Sequence, residues 1–172
     1  MVNMMKKLIY FLPVLLLAGL MPGCTPEIEV PAPSAGSAEF TEYVALGNSL
    51  TAGFTDGGLY REAQTQSYPA LLAQQIQEVN PSLSFEQPLL PAGNGSGYLK
   101  LKTLDLANQI FDFTIVPPAA DWTTRSPGTY HNLGMPGIRV RDITVNGYGA
   151  SPTAGNPYFY RILGADEANK SY

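Results

Sequence analysis

Short apolar runs separated by turns rich in glycine and proline dominate the hydrophobic pattern of this chain. The first run, Tyr43–Leu46, carries four residues suited to a buried strand, because a parallel strand covered on both faces reads as a continuous apolar run. It leads into a turn of small residues bracketed by Gly47 and Gly53, where the backbone must bend sharply or approach another group closely. The pattern predicts a strand, a turn and a helix, with Ser49 on the turn.

The clearest helix is predicted over Ser67–Val79. Ser67 is a residue type that caps helices, and Pro69 suits the first helical turn. The apolar positions of this segment recur at spacings of four and three and predict one buried stripe: Leu72, Ile76 and Val79. The preceding segment, Thr55–Gln66, is predicted to be a loop that borders Ser49. Near the end of the chain, a further helix is predicted over Tyr158–Leu163.

Residues 81–130 are predicted to form a β-rich insertion that shapes a substrate groove. Three segments there have strand character: Ser84–Gln87, Tyr98–Leu106 and Phe111–Val116. An Asn94–Gly95 turn precedes the second segment, and Pro117–Pro118 ends the third. Two roles are open for Trp122 and the neighbouring aromatic residues: they either stack on a sugar ring or belong to the core.

The N-terminus has the pattern of a targeting segment. A basic pair, Lys6–Lys7, precedes the apolar stretch Leu8–Leu20, which at about 1.5 Å per residue is roughly 20 Å long and too short for a hydrocarbon core of about 30 Å. Residues 1–23 are therefore predicted to be a secretory signal. The lone Cys24 directly after Gly23 resembles a bacterial lipoprotein cleavage site, which implies a lipidated mature N-terminus; the alternative is a buried or chance cysteine.

Composition narrows the classes of partner. The formal net charge is −4 and there are only ten Lys and Arg residues, without a basic stripe, so no nucleic acid is expected as a partner. One histidine and one cysteine give no metal-ligating cluster, and no cofactor is expected. A hydrophobic content of 45% is typical of a globular chain. Residues 24–40, rich in Pro, Ala, Ser and Gly, are predicted to be a flexible tether before a single domain, residues 41–172.

Ser49 is the first candidate catalytic residue. A serine between a parallel strand and a helix has its hydroxyl at the open edge of the sheet among free backbone N–H groups, which suits a nucleophile. The same residues leave the alternative that Ser49 caps a helix. Gly47–Leu50, the run Gly-Asn-Ser-Leu, resembles the first block of the GDSL, or SGNH, esterase and lipase family. The resemblance implies that Ser49 is the nucleophile and that its N–H is one oxyanion donor, although Asn48 stands where the family has aspartate.

A second segment, His131–Val140, resembles the second block of the same family. In that block an asparagine opens a short strand, and a glycine five residues further on gives its backbone N–H to the oxyanion. The spacing in this chain assigns these positions to Asn132 and Gly137. The alternative is that Pro136–Gly137 is an ordinary turn, which is a common use of that dipeptide.

Two further blocks of the family do not occur in the chain. There is no Gly-x-Asn-Asp run to supply an asparagine oxyanion donor, and no Asp-x-x-His run to supply the general base and its orienting acid. The only histidine, His131, lies where the family does not have its base, and it is expected to make local hydrogen bonds. A serine hydroxyl without a base is a poor nucleophile. The chain is therefore expected to be the N-terminal part of a hydrolase, truncated at Tyr172 and inactive alone.

These expectations combine into one interpretation. The expected fold class, as the resemblance implies, is α/β: a flavodoxin-like three-layer sandwich around a parallel sheet, incomplete and with the β-rich insertion. The implied activity is hydrolysis of a carboxylic ester, in an acyl lipid or an acylated carbohydrate. The protein would be an exported lipoprotein at the outer membrane or cell surface of a Gram-negative bacterium, held at the membrane by lipid on Cys24. The alternative is a non-enzymatic surface lipoprotein that binds glycan through the aromatic residues of the insertion.

Overall fold

The helices and strands of the described part lie between Ala45 and Glu167 and follow no repeating order. The computed structural model describes residues 30–172, and residues 33–172 form one unit that contains every helix and strand of the described part. The predicted signal, residues 1–23, and Cys24 lie outside the described residues, as does the start of the predicted tether. Within the described part, no helix combines the length and the apolar character that crossing a membrane requires.

The predicted strand–turn–helix unit is present. Strand β1, Ala45–Gly47, pairs in parallel with β4, Asn132–Gly134, with Leu46 opposite Leu133, and helix α1, Ser49–Ala52, follows β1 directly. The prediction of a strand buried on both faces is wrong. Ala45 is buried, but Leu46 is 65% exposed, because in this two-stranded sheet only one face of β1 is packed against other elements.

Small residues let α1 lie directly against the parallel pair. Gly53 ends α1 in the left-handed conformation, with φ 83°, and a Cβ at Gly47 would overlap the Thr51 hydroxyl, so both bracketing glycines are used as predicted. A Cβ at Gly134 would overlap the Ala52 backbone nitrogen. The close packing of strand and helix behind Ser49 therefore depends on the missing side chain at Gly134.

The predicted long helix is confirmed, whereas its predicted apolar stripe is not. Helix α3 covers Tyr68–Gln77 with Pro69 in its first turn, as predicted. Its buried face consists mainly of small residues: Pro69, Ala70, Ala73 and Ile76. Leu72 is 45% exposed. Ser67 precedes the helix without capping it by its side chain, since its hydroxyl instead donates to Gln87 Oε1 at 3.3 Å.

The segment predicted as an insertion contains one antiparallel hairpin. Strand β2, Tyr98–Asp105, pairs with β3, Ile110–Val116, and a turn over 94–97 precedes it, as predicted. A bulge at Lys102 shifts the register, so that six apolar side chains share one face: Leu99, Leu101, Leu104, Phe111, Phe113 and Ile115. Ser84–Gln87 was predicted to be a strand, but its backbone pairs in no sheet.

The remaining helices are short. Helix α2, Arg61–Thr65, lies inside the segment that was predicted to be loop, and helix α4, Pro157–Ile162, is the predicted C-terminal helix. Single 3-10 turns cover Val140–Asp142 and Ala165–Glu167. The described residues thus combine helices with a small parallel pair and an antiparallel hairpin, which is consistent with an α/β protein.

Candidate functional site

Ser49 lies at the carboxyl end of β1, as its sequence context predicts. The helix cap is Asn48, whose side chain accepts a hydrogen bond from Leu50 N at 3.4 Å, so the alternative that Ser49 caps the helix is wrong. Ser49 is the first residue of α1 and is half-buried. Its hydroxyl makes no hydrogen bond to any residue in the described part, whereas the neighbouring Thr51 hydroxyl is paired with Tyr68 at 3.0 Å.

The loop after β4 brings Gly137 to the same end of the parallel pair. Met135 N donates to Gly47 O at 2.8 Å, which continues the β1–β4 ladder and attaches this loop to the residues before Ser49. Gly137 is exposed and has φ 80°, a conformation that favours glycine. Its N–H donates to no other residue within 30–172, while its carbonyl accepts from Tyr148 at 3.4 Å.

The Gly137 loop is fixed from behind by a buried asparagine. Asn156 Nδ2 donates to Pro136 O at 2.8 Å, and Asn156 Oδ1 caps helix α4 by accepting from Tyr158 N and Phe159 N. Asn156 therefore connects the loop to a helix whose Phe159 packs on Met135 in a core cluster. This support restricts the motion of the backbone N–H that the sequence singled out.

Asn132 connects β4 with α1 through side-chain hydrogen bonds, which we call the Asn132 clamp. It is buried, and its Nδ2 donates to Thr51 O at 2.9 Å and to Gln87 Oε1 at 3.0 Å, while its Oδ1 accepts from Gly134 N at 3.0 Å. The sequence identified Asn132 only as the start of a strand. Its clamp on α1 was not predicted, because Thr51 and Gln87 lie 81 and 45 residues away in the chain.

A tyrosine also reaches the parallel pair. The Tyr172 hydroxyl donates to Leu133 O, and its ring packs edge-on against Phe159 at 5.6 Å between centroids. Burial raises the pKa of Tyr172 above its ordinary value. As a donor to Leu133 O, the Tyr172 hydroxyl holds the middle of β4 in place.

Other candidate residues have structural partners. His131 Nδ1 accepts from Glu86 N at 2.9 Å, which confirms the prediction of a local hydrogen-bonding role. Trp122 is half-buried against the core cluster of Ala52, Leu59 and Leu90, as the core alternative expects. Its ring lies 5.2 Å from that of Tyr158.

Tyr60, in the loop before α2, has the largest pKa shift among the tyrosines of the described part. The Tyr60 hydroxyl donates to Asp56 Oδ2 at 2.6 Å, and this hydrogen bond, with burial second, raises the pKa of Tyr60 to about 12. The Tyr60 ring lies 4.3 Å from that of Tyr98. Tyr60 therefore attaches the base of the hairpin to the loop after α1.

No protein-family model, curated protein or solved structure matches this chain significantly. Ser49 and Gly137 each follow by two residues one partner of the Met135 N–Gly47 O hydrogen bond at the carboxyl end of β1 and β4. The Ser49 hydroxyl and the Gly137 N–H are paired with no described residue.

Proposed function

We propose that this chain carries the nucleophile and two oxyanion donors of a serine hydrolase of the GDSL, or SGNH, type that cleaves carboxylic esters. Ser49 Oγ would attack the ester carbonyl, and the N–H groups of Ser49 and Gly137 would hold the resulting oxyanion. Removing one oxyanion donor from a serine protease raises the activation barrier by about 2.7–4 kcal/mol.

The observation that supports this proposal most is the bond between Met135 N and Gly47 O. Ser49 follows one partner by two residues and Gly137 follows the other by two residues. Two residues span at most about 7 Å of chain, so both candidate groups stay close to one hydrogen bond. The clamp by Asn132 and the support by Asn156 would fix this arrangement before substrate binds.

The proposal requires a general base from outside residues 30–172. His131 is the only histidine of the chain, and its Nδ1 already accepts from the Glu86 backbone. The triad histidine and aspartate and the asparagine donor of the family would then come from sequence beyond this chain, and the chain alone would be inactive. The complete fold would be the flavodoxin-like three-layer sandwich.

Chemical rescue tests the role of Ser49. We expect the purified protein to hydrolyse p-nitrophenyl acetate no faster than buffer does. Added imidazole would supply the missing base and produce a rate above the imidazole background that is proportional to protein concentration. This extra rate should be lost in Ser49→Ala. The matched control is Ser84→Ala, since Ser84 is exposed and its hydroxyl is unpaired in the described part. Equal rescue of the wild type and Ser49→Ala would refute the assignment.

The same proposal includes a lipid anchor at Cys24. Each buried methylene adds about 0.8 kcal/mol of membrane affinity, so two or more acyl chains hold a protein stably. Cys24→Ala should move the expressed protein from the membrane fraction to the soluble fraction. Unchanged fractionation of this variant would contradict lipidation.

A further inference from the structure

Three arginines line one cleft away from Ser49 and Gly137. Arg61 begins α2, Arg161 lies in the last turn of α4, and Arg125 belongs to the segment between the hairpin and β4. Their cleft has a volume of about 330 Å³. One carboxylate, that of Asp121, shares the lining, so three positive charges meet a single negative charge.

Arg161 is the unusual member of this group. It is only 3% exposed, and its guanidinium makes two long hydrogen bonds, Nη1 to Pro88 O at 3.3 Å and Nη2 to Leu89 O at 3.5 Å. Its Nε is buried and has no partner among the described residues. A buried guanidinium without a counter-ion is costly, because neutral carbonyls replace only part of the lost hydration.

The other two arginines also lack acidic partners in the described part. The ion pairs found there join other residues. Arg61 Nη1 donates to Leu90 O at 3.1 Å, and Arg125 Nη1 donates to Gly164 O at 2.6 Å. The Arg125 guanidinium lies 4.3 Å above the Tyr160 ring, which fixes its plane. A guanidinium offers five N–H donors, so each of these side chains keeps donors for a ligand.

A purely structural role explains only part of this arrangement. The carbonyls of Pro88 and Leu90 could be satisfied by neutral donors, and Gln64 already donates to Pro88 O at 3.1 Å while accepting from Leu90 N at 2.8 Å. Three guanidinium groups around an open cleft with one carboxylate leave a local excess of positive charge in a chain whose net charge is −4.

We propose that the cleft between Arg61, Arg125 and Arg161 binds a small oxyanion, either a carboxylate or a phosphate. Arg161 supplies the buried charge at the wall of the cleft, and Arg61 and Arg125 complete the forked donor set that suits such oxygens. This site shares no residue with the proposed catalytic pair and does not depend on the proposed hydrolase activity.

Thermal denaturation of the purified protein tests this proposal. Inorganic phosphate and acetate are titrated separately against sodium chloride at matched ionic strength. We expect at least one oxyanion to raise Tm saturably, because a ligand that binds only the folded state stabilises it. Phosphate alone would identify a tetrahedral ligand, acetate alone a planar carboxylate, and both a general oxyanion site. No shift beyond that of chloride would overturn the proposal.

Charge variants locate the site. Arg61→Gln removes an exposed guanidinium and should weaken the apparent affinity by about tenfold or more, the usual effect of losing a charged hydrogen bond. Asp121→Asn should tighten binding, because it removes the only carboxylate of the lining. Arg141→Gln is the matched control, since Arg141 is an exposed arginine outside the cleft. The assignment would be overturned if Arg61→Gln left the affinity unchanged, or if Arg141→Gln weakened it equally. Neither variant requires replacement of the buried Arg161.

Discussion

Two β-sheets occur among residues 30–172, and the shorter of the two is the more deeply buried. The parallel pair β1–β4 has three residue pairs in register, whereas the antiparallel hairpin β2–β3 has seven. Asn132 and Gly134 of the short pair are buried. In the long hairpin every apolar residue of the shared face is about half exposed or more, up to 78% for Ile115. The region with the longer hydrogen-bonded ladder is therefore the one with less packing.

The difference shows what holds each region in place. The hairpin is attached at its base, where Leu99 N donates to Asp56 O at 2.7 Å and Tyr98 packs on Tyr60. The parallel pair is held along its whole length by α1, by the Asn132 clamp and by the core cluster around Met135. Burial of apolar side chains contributes more to the free energy of folding than exposed hydrogen bonds do, because each exposed hydrogen bond replaces one to water. We therefore expect the candidate site to be rigid and the distal hairpin to open locally.

Truncating one phenylalanine in each region should produce the largest difference in the free energy of unfolding. Phe159 is 4% exposed beside the parallel pair, and Phe113 is 55% exposed on the hairpin. Phe159→Ala should lower the free energy of unfolding by about 4 kcal/mol, and Phe113→Ala by less than about 1 kcal/mol. Urea denaturation measures both. A cost for Phe113→Ala close to that for Phe159→Ala would show that the hairpin face is packed against something in solution.

Two asparagines, one in each region, should differ in the cost of losing a hydrogen bond. Asn132→Ala leaves the Thr51 carbonyl and the Gly134 N–H without their buried partner and should cost about 2 kcal/mol. Asn108, at the exposed tip of the hairpin, bonds to Asp105 at 2.7 Å. Asn108→Ala should cost about 0.5 kcal/mol, because water replaces the lost bond. Hydrogen exchange provides a second readout, since Asn132→Ala should speed exchange in α1 while Asn108→Ala should not.

The smallest effect is expected at the bulge. Lys102 pairs with Asp112 at 3.0 Å, but the two side chains are 65% and 45% exposed. Surface ion pairs of this kind contribute about 0.5 kcal/mol or less at moderate salt. Lys102→Ala should therefore change the urea midpoint only slightly, and the change should disappear in high salt. A large effect that persists in salt would mean that Lys102 fixes the register of the bulge by its packing.

Local patterns predicted the elements whose signals lie within a few neighbouring residues. Adjacent residue types were enough to predict five features: the turn at Ser49, the helix around Pro69, the hairpin strands, the end of β3 before Pro117 and the local hydrogen bond of His131. The extra helix at Arg61–Thr65 was missed, because the two glycines before it suggested a loop that extends too far. The role of Ser49 as a nucleophile remains a prediction.

Neighbouring residue types were enough to predict the local chemistry of this chain. They indicate which backbone segments bend, which segments pair, and which side chains carry a hydroxyl or a charge at the bend. Which faces are buried depends on how the elements pack in the folded chain. Leu72 fits a helical stripe but lies exposed, whereas Arg161, a charged residue, is buried beside Pro88. Burial depends on partners from distant parts of the chain, such as Gln87 for Asn132, and no local pattern records them. The clamp behind the candidate site and the arginine cleft are therefore properties of the fold.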